Sequence, residues 1–414
     1  MKTRFKAVAW ALSVGLTLPV AAAPLPPEPN AVEPVPSWPQ LVLAQLQQLP
    51  QLQSAAAALQ QQQFAVNRAS QALYNPELAA EVENMGGDGA AEYQLGISQT
   101  IDWADKRGLQ TRLAQLQAQQ AQASHQLQRN QLLLQLLNHY SQWALAQQQD
   151  NWHAQQQQQF ALLVQQTRQK VQVGDVAPLD LQLLQLEQAR LLAQRSHSQQ
   201  ALLQQQGQLQ ALGSSLWQLP IQLDEISLPS GPTAISPRLP ALQPAYKAVQ
   251  IARAEMALTQ GQQQWDPTVS IGVKHSGNEQ SLNLGISVPL ALRNRGQAEL
   301  QQAQQQLLLA ELQLSEHQQR LSIELESLTA QWQLLSSNYG QWQQLALQPL
   351  ASSQALLQKQ WRSGELTTPN FVQAQQQLLA THSAGAQLQT QRQQAALALL
   401  AARGELETWL QHRR

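Results

Sequence analysis

Apolar positions along this chain follow two rhythms, which alternate in blocks. Over residues 40–73 and 240–264, Leu and Ala keep the three-and-four spacing of a helix with one buried stripe, and a Pro follows each stretch. Strict alternation comes next. Leu78, Ala80 and Val82 fall on one face, with Ala79, Glu81 and Glu83 on the other. Beyond the turn Gly86-Gly87-Asp88-Gly89, residues Tyr93, Leu95, Ile97 and Ile101 alternate with Gln94, Gly96, Ser98 and Thr100. In the second block Val269, Ile271 and Val273 alternate with Ser270, Gly272 and Lys274. Leu282, Leu284, Ile286, Val288 and Leu290 then alternate with Asn283, Gly285 and Ser287. Period-two patterning broken by turn residues predicts β-hairpins over about 77–101 and 267–290.

After each hairpin the helical spacing returns and persists. Leu109, Leu113, Leu116, Ala123, Leu127, Leu134 and Leu137 carry it in the first half, and Leu300, Ala303, Leu307, Ala310, Leu314 and Leu321 in the second. Each run lasts about 66 residues, roughly 100 Å of helix, against a globular mean of about 11–12 residues. Such lengths belong to coiled coils or to helices packed along a tube. Turns over 173–180 and 363–370 close the runs. Gly174 and Gly364 suit a left-handed helix end, and Pro178 and Pro369 suit the first turn of the next helix. Return helices are expected to reach about 212 and 411.

These blocks are one unit written twice. Tyr74-Asn75-Pro76 recurs as Trp265-Asp266-Pro267, Leu95-Gly96-Ile97-Ser98 as Leu284-Gly285-Ile286-Ser287, and Lys106-Arg107-Gly108 as Asn294-Arg295-Gly296. Val173-Gly174-Asp175 with Pro178 and Asp180 recurs as Ser363-Gly364-Glu365 with Pro369 and Asn370. All four offsets lie near ~190 residues and keep their order, which marks a duplication. The first repeat is 40–213 and the second 241–411. Between them lies a Pro-rich linker, 214–240, in which 221–228 could form a short strand. Residues 23–39 are Pro-rich and expected to be extended.

Residues 1–22 read as a secretory signal peptide. Lys2, Arg4 and Lys6 precede an apolar stretch over 8–20, and small residues precede a cut after Ala22. That stretch is too short for a span of about 20 residues, and no later apolar run approaches that length. An exported chain of this kind can cross a membrane only by strands.

Composition narrows the function. Charged residues make up 12% of the 414, the formal net charge is -1, and Cys is absent. Gln fills about one position in five and supplies the polar faces of the helices. Taken alone it would suggest low-complexity disorder, which the long periodicity contradicts. Without a basic stripe no nucleic-acid partner is expected. Without Cys there is no disulfide, thiolate metal site or Cys-linked lipid anchor. The eight His residues form no close pair at ligand spacing, and no phosphate loop or nucleophile elbow occurs. No enzyme activity, cofactor or resident metal is therefore expected.

The hairpins leave two readings open. A strand of about 9–11 residues crosses a bilayer when tilted, and the second strand of each hairpin has that length. Four strands cannot close a barrel by themselves, because known outer-membrane barrels need about eight or more. Spanning strands would therefore require several chains; otherwise the sheet is soluble and packs on the helices. In the spanning case Glu81 and Glu83 line a channel and attract cations; in the other they sit on a solvated strand face. Tyr74 and Trp265 stand at matching strand ends, as an aromatic girdle or as packing at the helix–strand junction.

The chain resembles the TolC-like outer-membrane efflux factors, most of all their cobalt–zinc–cadmium heavy-metal branch. The resemblance rests on Asn75-Pro76-Glu77-Leu78, Glu81, Glu83-Asn84, Gly86-Gly87, Leu95, Ser98-Gln99 and Lys106-Arg107-Gly108. It rests equally on Asp266-Pro267, the run Leu284 to Leu290, Asn294-Arg295-Gly296 and the two tips. It covers about 40–411. It implies a fold that is mainly α with transmembrane β. Three copies of the helix–β-hairpin–long-helix–helix unit, present twice per chain, would form an α-helical barrel joined to a shared 12-strand β-barrel. The implied location is the cell outer membrane, with the helical tube in the periplasm. The implied partners are two further copies of the chain, a periplasmic adaptor (membrane fusion) protein and an inner-membrane resistance-nodulation-division type pump. The protein would be a passive conduit, with divalent heavy-metal cations as cargo. The tip residues Gly174, Asp175, Asp180, Gly364, Glu365 and Asn370 would meet the adaptor.

Two departures stand out. The lipidated Cys of many relatives is missing. The acidic residues that close the tube in the best-known members correspond to the neutral Asn370 and Gln373, which points to steric closure. Asp175, Asp180 and Glu365 are the remaining tip charges, and helix-start capping accounts for them equally well. The competing function is a periplasmic coiled-coil adaptor or assembly protein without membrane strands.

Overall fold

The computed structural model describes residues 37–83, 91–219, 221, 223, 226, 228, 235–276, 279–290, 293 and 295–413. The chain divides into 1–36 and a second unit from Ser37 to Arg414, and only the second is described. The signal peptide, the Gly-rich turn at 86–89 and Asn294 lie outside the described residues, as does most of the strand considered at 221–228.

The first helical stretch is two helices, α1 (Trp38–Gln48) and α2 (Pro50–Ala69), where one was expected. Pro50 has no N–H to give and crowds the residue before it, so Leu49 turns extended at φ −63°, ψ 129° and the helix restarts. The β-hairpin β1 (Glu77–Glu83) and β2 (Glu92–Thr100) follows, then α3 (Lys106–Gln172) and its return helix α4 (Pro178–Ala211). The second repeat runs α5 (Gln243–Gln262), β3 (Thr268–Ser276), β4 (Glu279–Ser287), α6 (Gln297–Arg362) and α7 (Thr368–Arg403). The return helix expected to reach 411 stops at Gly404, whose φ of 73° ends α7, and a short α8 (Leu406–Gln411) follows.

The 67 residues of α3 form one helix because Gln, Leu and Ala are good helix formers and no Pro interrupts them. Its start is closed by side chains. Asp102 accepts from the backbone N–H groups of Lys106 and Arg107 at 2.7 and 2.8 Å, and Asp105 accepts from Gly108 at 3.2 Å. These carboxylates satisfy amides that a helix leaves unpaired, and they complement its dipole.

Three apolar clusters lie along the helices; one of them joins Leu321 and Leu325 of α6 to Leu399 of α7 and to Leu239 and Leu242 ahead of α5, and the other two are larger. The largest joins Val42 and Leu46 of α1, Leu133, Leu136 and Leu137 of α3, Leu209 of α4, Leu397 and Leu400 of α7, and Leu406 and Leu410 of α8. Ile221 and Leu223 of the linker are buried against it. The second, near the tips, joins Phe160, Leu163 and Val164 to Leu184, Leu191, Phe371 and Leu379. None of the described helices is long and apolar enough to cross a membrane.

The packing does not treat the two long helices alike. Helix α3 packs on α2 and α4 of its own repeat and also on α5 and α7 of the next. Helix α6, its counterpart, packs substantially only on its own α5 and α7. Leu312, Ile323, Leu334, Leu345 and Leu356 of α6 are each more than half exposed and recur every eleven residues. That period, about 3.67 residues per turn, keeps them on one line along a nearly straight helix.

Candidate functional site

The four strands form one antiparallel sheet in the order β1-β2-β3-β4. Paired residues share a face, so the register sorts every side chain. Rows Leu78–Ile97–Ile271–Leu284 and Ala80–Leu95–Val273–Leu282 belong to one face, with Val82, Tyr93, Val269 and Ile286. None of the described residues covers this face: Leu78, Leu284 and Ile286 are 72%, 75% and 76% exposed. A contiguous apolar patch of this kind marks an interaction surface. Nine-residue strands rising about 3.4 Å per residue span about 30 Å, and tilted they match an apolar band of about 25 Å.

The opposite face is polar. Glu83–Glu92–Ser276–Glu279 form the row farthest from the helices, and Glu81–Gln94–Lys274–Ser281 the next. Glu77–Ser98–Ser270–Gly285 and Thr100–Thr268–Ser287 lie nearer the base. Glu81 and Glu83 thus occupy the face expected of them, both exposed. The register adds four residues that spacing did not single out. Lys274 forms an ion pair with Glu92 and lies 3.9 Å from Glu83. The Ser276 hydroxyl donates to Glu92 at 2.7 Å, and Glu279 ends the outer row. These residues flank the turns, where an alternation pattern fades; only the β2–β3 pairing brings Glu92 beside Lys274.

At the base of the sheet Asp266 gathers groups from both repeats. It accepts from the Lys106 ammonium at 2.8 Å, the Tyr74 hydroxyl at 2.6 Å and the Trp103 backbone N–H at 3.3 Å. Lys106 also donates to the Gln264 carbonyl at 2.7 Å. Burial by itself disfavours the Asp266 carboxylate. The hydrogen bonds from Lys106 and Tyr74, with the charge of Lys106, outweigh it and hold its pKa below the usual value. Tyr74, bonded to that carboxylate and partly buried, is pushed up to about 12. Tyr74 is therefore a junction residue. Trp265 is half exposed and stacks on Trp103, ring centres 6.2 Å apart, at the foot of the apolar face. Paired exposed indoles belong where apolar and wet surroundings meet. Tyr93 takes the corresponding place at the far end, 54% exposed.

The tips have the expected chain reversals. Gly174 and Gly364 hold φ of 78° and 80°. Gly174 donates to Val171 O at 3.1 Å and Asp175 to Lys170 O at 2.9 Å, the paired bonds of a Schellman helix end. Asp175, Glu365 and Asn370 are exposed, and Asp180 is half-buried in the first turn of α4. Val173 and Leu179 of the first tip are 79% and 63% exposed. Just inside the tips, Glu187 of α4 is 3% exposed and accepts from Arg190 and, at 2.7 Å, from Gln376 of α7. This link between the helical hairpins had no sequence signal. Gly174→Ala has open space for its methyl group. It must still hold a left-handed backbone, at a cost of about 1–2 kcal/mol. Limited proteolysis at the first tip should accelerate accordingly.

Among the described residues no group of three or more His, Cys, Asp or Glu could hold a metal ion. No protein-family model and no curated protein matches the sequence. Solved structures do match. CusC, described for its folding and transmembrane channel formation, aligns with a TM-score of 0.72 at 17% identity, over 89% of this chain and 92% of that one. The outer membrane protein VceC of Vibrio cholerae gives 0.71 at 18% identity, over 88% and 96%. The outer membrane channel MtrE of Neisseria gonorrhoeae, in its open state, gives 0.70 at 15% identity, over 90% of each. Across nearly its whole described length, the chain has the fold of these outer-membrane channel proteins.

Proposed function

We propose that this chain is the outer-membrane channel component of a tripartite efflux system and works as a homotrimer. One observation carries this reading: the second repeat lacks the partners that the first one has. Strand β2 pairs with β1 and with β3 of the next repeat; among the described residues β4 pairs with β3 alone. Helix α3 packs on both repeats along its length; α6 packs mainly on its own and reaches α3 only near the tips, where Gln354 and Gln358 donate to Gln159. Both vacancies fit the first repeat of another copy, with β1 beside β4 and α2 and α4 along the exposed stripe of α6. Contacts of this head-to-tail kind close into a ring. With three copies the ring holds a 12-strand barrel with no free edges, its apolar face toward lipid and its polar face toward the lumen. A periplasmic adaptor without membrane strands would leave that apolar face in water.

In this reading Glu81 and Glu83 line the channel. The tips, through Gly174, Asp175, Asp180, Gly364, Glu365 and Asn370, meet a periplasmic adaptor. An inner-membrane pump of the resistance-nodulation-division type supplies the energy. Neutral Asn370 and Gln373 make closure at the tips steric. The cargo we propose is divalent heavy-metal cations, on the strength of the sequence resemblance and the carboxylates of the polar face. Envelope fractionation should place the protein in the outer membrane as a heat-modifiable trimer after detergent extraction. A soluble periplasmic monomer would overturn the conduit. Deletion should sensitise cells to at least one of cobalt, zinc, cadmium or copper, and growth unchanged on all four would overturn the cargo.

A further inference from the structure

The polar face of the sheet carries an uneven set of charges. Among the described strand residues, Glu77, Glu81, Glu83, Glu92 and Glu279 stand on it against a single cation, Lys274. His275 lies in a row with Tyr93 on the apolar side. Lys274 sits one row in from the mouth. Its ammonium pairs with Glu92, which Ser276 also holds, and approaches Glu83 at 3.9 Å. Glu81 shares its row across the sheet. Glu81 and Glu279 form no ion pair among the described residues. The ammonium therefore offsets Glu92 and Glu83 of the outermost row most directly, while Glu279 of the same row and Glu77 nearer the base have no ion pair among the described residues.

We propose that Lys274 is a specificity-determining residue of the conduit, setting how strongly its outer mouth prefers cations over anions. The proposal rests on the channel reading above. In a narrow passage with low-dielectric walls, fixed charges of one sign concentrate the counter-ion and exclude the co-ion. A trimer places three ammonium groups around one level of the lumen. They lower the cation preference that the surrounding carboxylates would otherwise impose, so the mouth stays passable to anionic and neutral solutes. The same ion pair holds the Glu92 side chain along the wall.

The test is the reversal potential of purified trimers in planar bilayers under a KCl gradient. Lys274→Gln should raise the potassium-to-chloride permeability ratio by about twofold or more near 0.1 M salt, and the difference should fade toward 1 M as the Debye length shrinks from about 10 to 3 Å. Lys274→Glu should raise it further, Lys274→Arg should restore the parent value, and Glu92→Gln should lower it. The opposite signs of Lys274→Gln and Glu92→Gln separate a charge effect from loosening of the ion pair, which would move both variants the same way. An unchanged reversal potential in conducting Lys274→Gln and Lys274→Glu trimers overturns the role of Lys274 alone. Absence of any conductance in the parent protein overturns the channel reading and this inference together.

Discussion

Arginine at Ile271 and Leu284 together is expected to remove the protein from the outer membrane. The two residues are paired across β3 and β4 in the middle of the apolar face. They are 47% and 75% exposed in the single chain. In water such positions tolerate a charge with little change, within about 0.5 kcal/mol. Facing the middle of a bilayer, each arginine costs about 2–4 kcal/mol. The proposed trimer would carry six of them, which reaches the whole stability of a typical domain, about 5–15 kcal/mol. The heat-modifiable trimer should disappear and the chain should accumulate as soluble or degraded protein. Asn283→Arg, one residue away on the polar face, should leave the trimer intact. Equal tolerance of arginine on the two faces would mean that the apolar side never meets lipid.

Asp266→Ala should be nearly as damaging, through a different cause. It strips the counter-charge from Lys106, whose side chain is only 11% exposed, and also leaves the Tyr74 hydroxyl without its acceptor. Breaking one side of a buried ion pair costs about 3–5 kcal/mol, whereas replacing both partners with apolar groups of similar size is much milder. Lys106→Met with Asp266→Leu should therefore recover much of the loss, and a double-mutant cycle on thermal stability measures the coupling. The junction should also fail at both extremes of pH. The Asp266 pKa is depressed in the fold, so its contribution is full above the ordinary carboxyl value and is lost as pH falls through the lowered one. Tyr74 is raised to about 12, so its contribution is present below its ordinary value of 10.0 and disappears as pH rises from there to about 12. Asp266→Asn should remove the acid limb of that profile.

The duplication, the hairpins, the long helices and the tip glycines were all legible, because each depends on a period or on a residue with special backbone freedom. Alternation assigned Leu78, Ala80 and Val82 to one face and Glu81 and Glu83 to the other, as the register does. Pairing between repeats was not legible. Lys106 and Asp266 are 160 positions apart, and nothing local marks them as partners. Lys274 reads as one more polar position in a strand until the β2–β3 register sets Glu92 against it. Tyr74 could be placed at a strand end, but its hydroxyl finds Asp266 only in three dimensions. The breaks at Leu49 and Gly404 had local causes. The apolar spacing nevertheless continues across both, which hides them in the pattern.

The repeats are related by sequence but joined asymmetrically, and Asp266 is where this becomes visible. Its counterpart in the first repeat is Asn75, and the counterpart of Lys106 is Asn294. Within one chain the meeting of first and second repeats is therefore ionic. By sequence alone, the positions that correspond to this pair at the proposed joint between chains are amides and carry no charge. A first repeat can thus distinguish its own second repeat from a neighbour's by charge alone. The charge that ties the two repeats of one protomer together thus has no counterpart in sequence at the proposed joint between protomers.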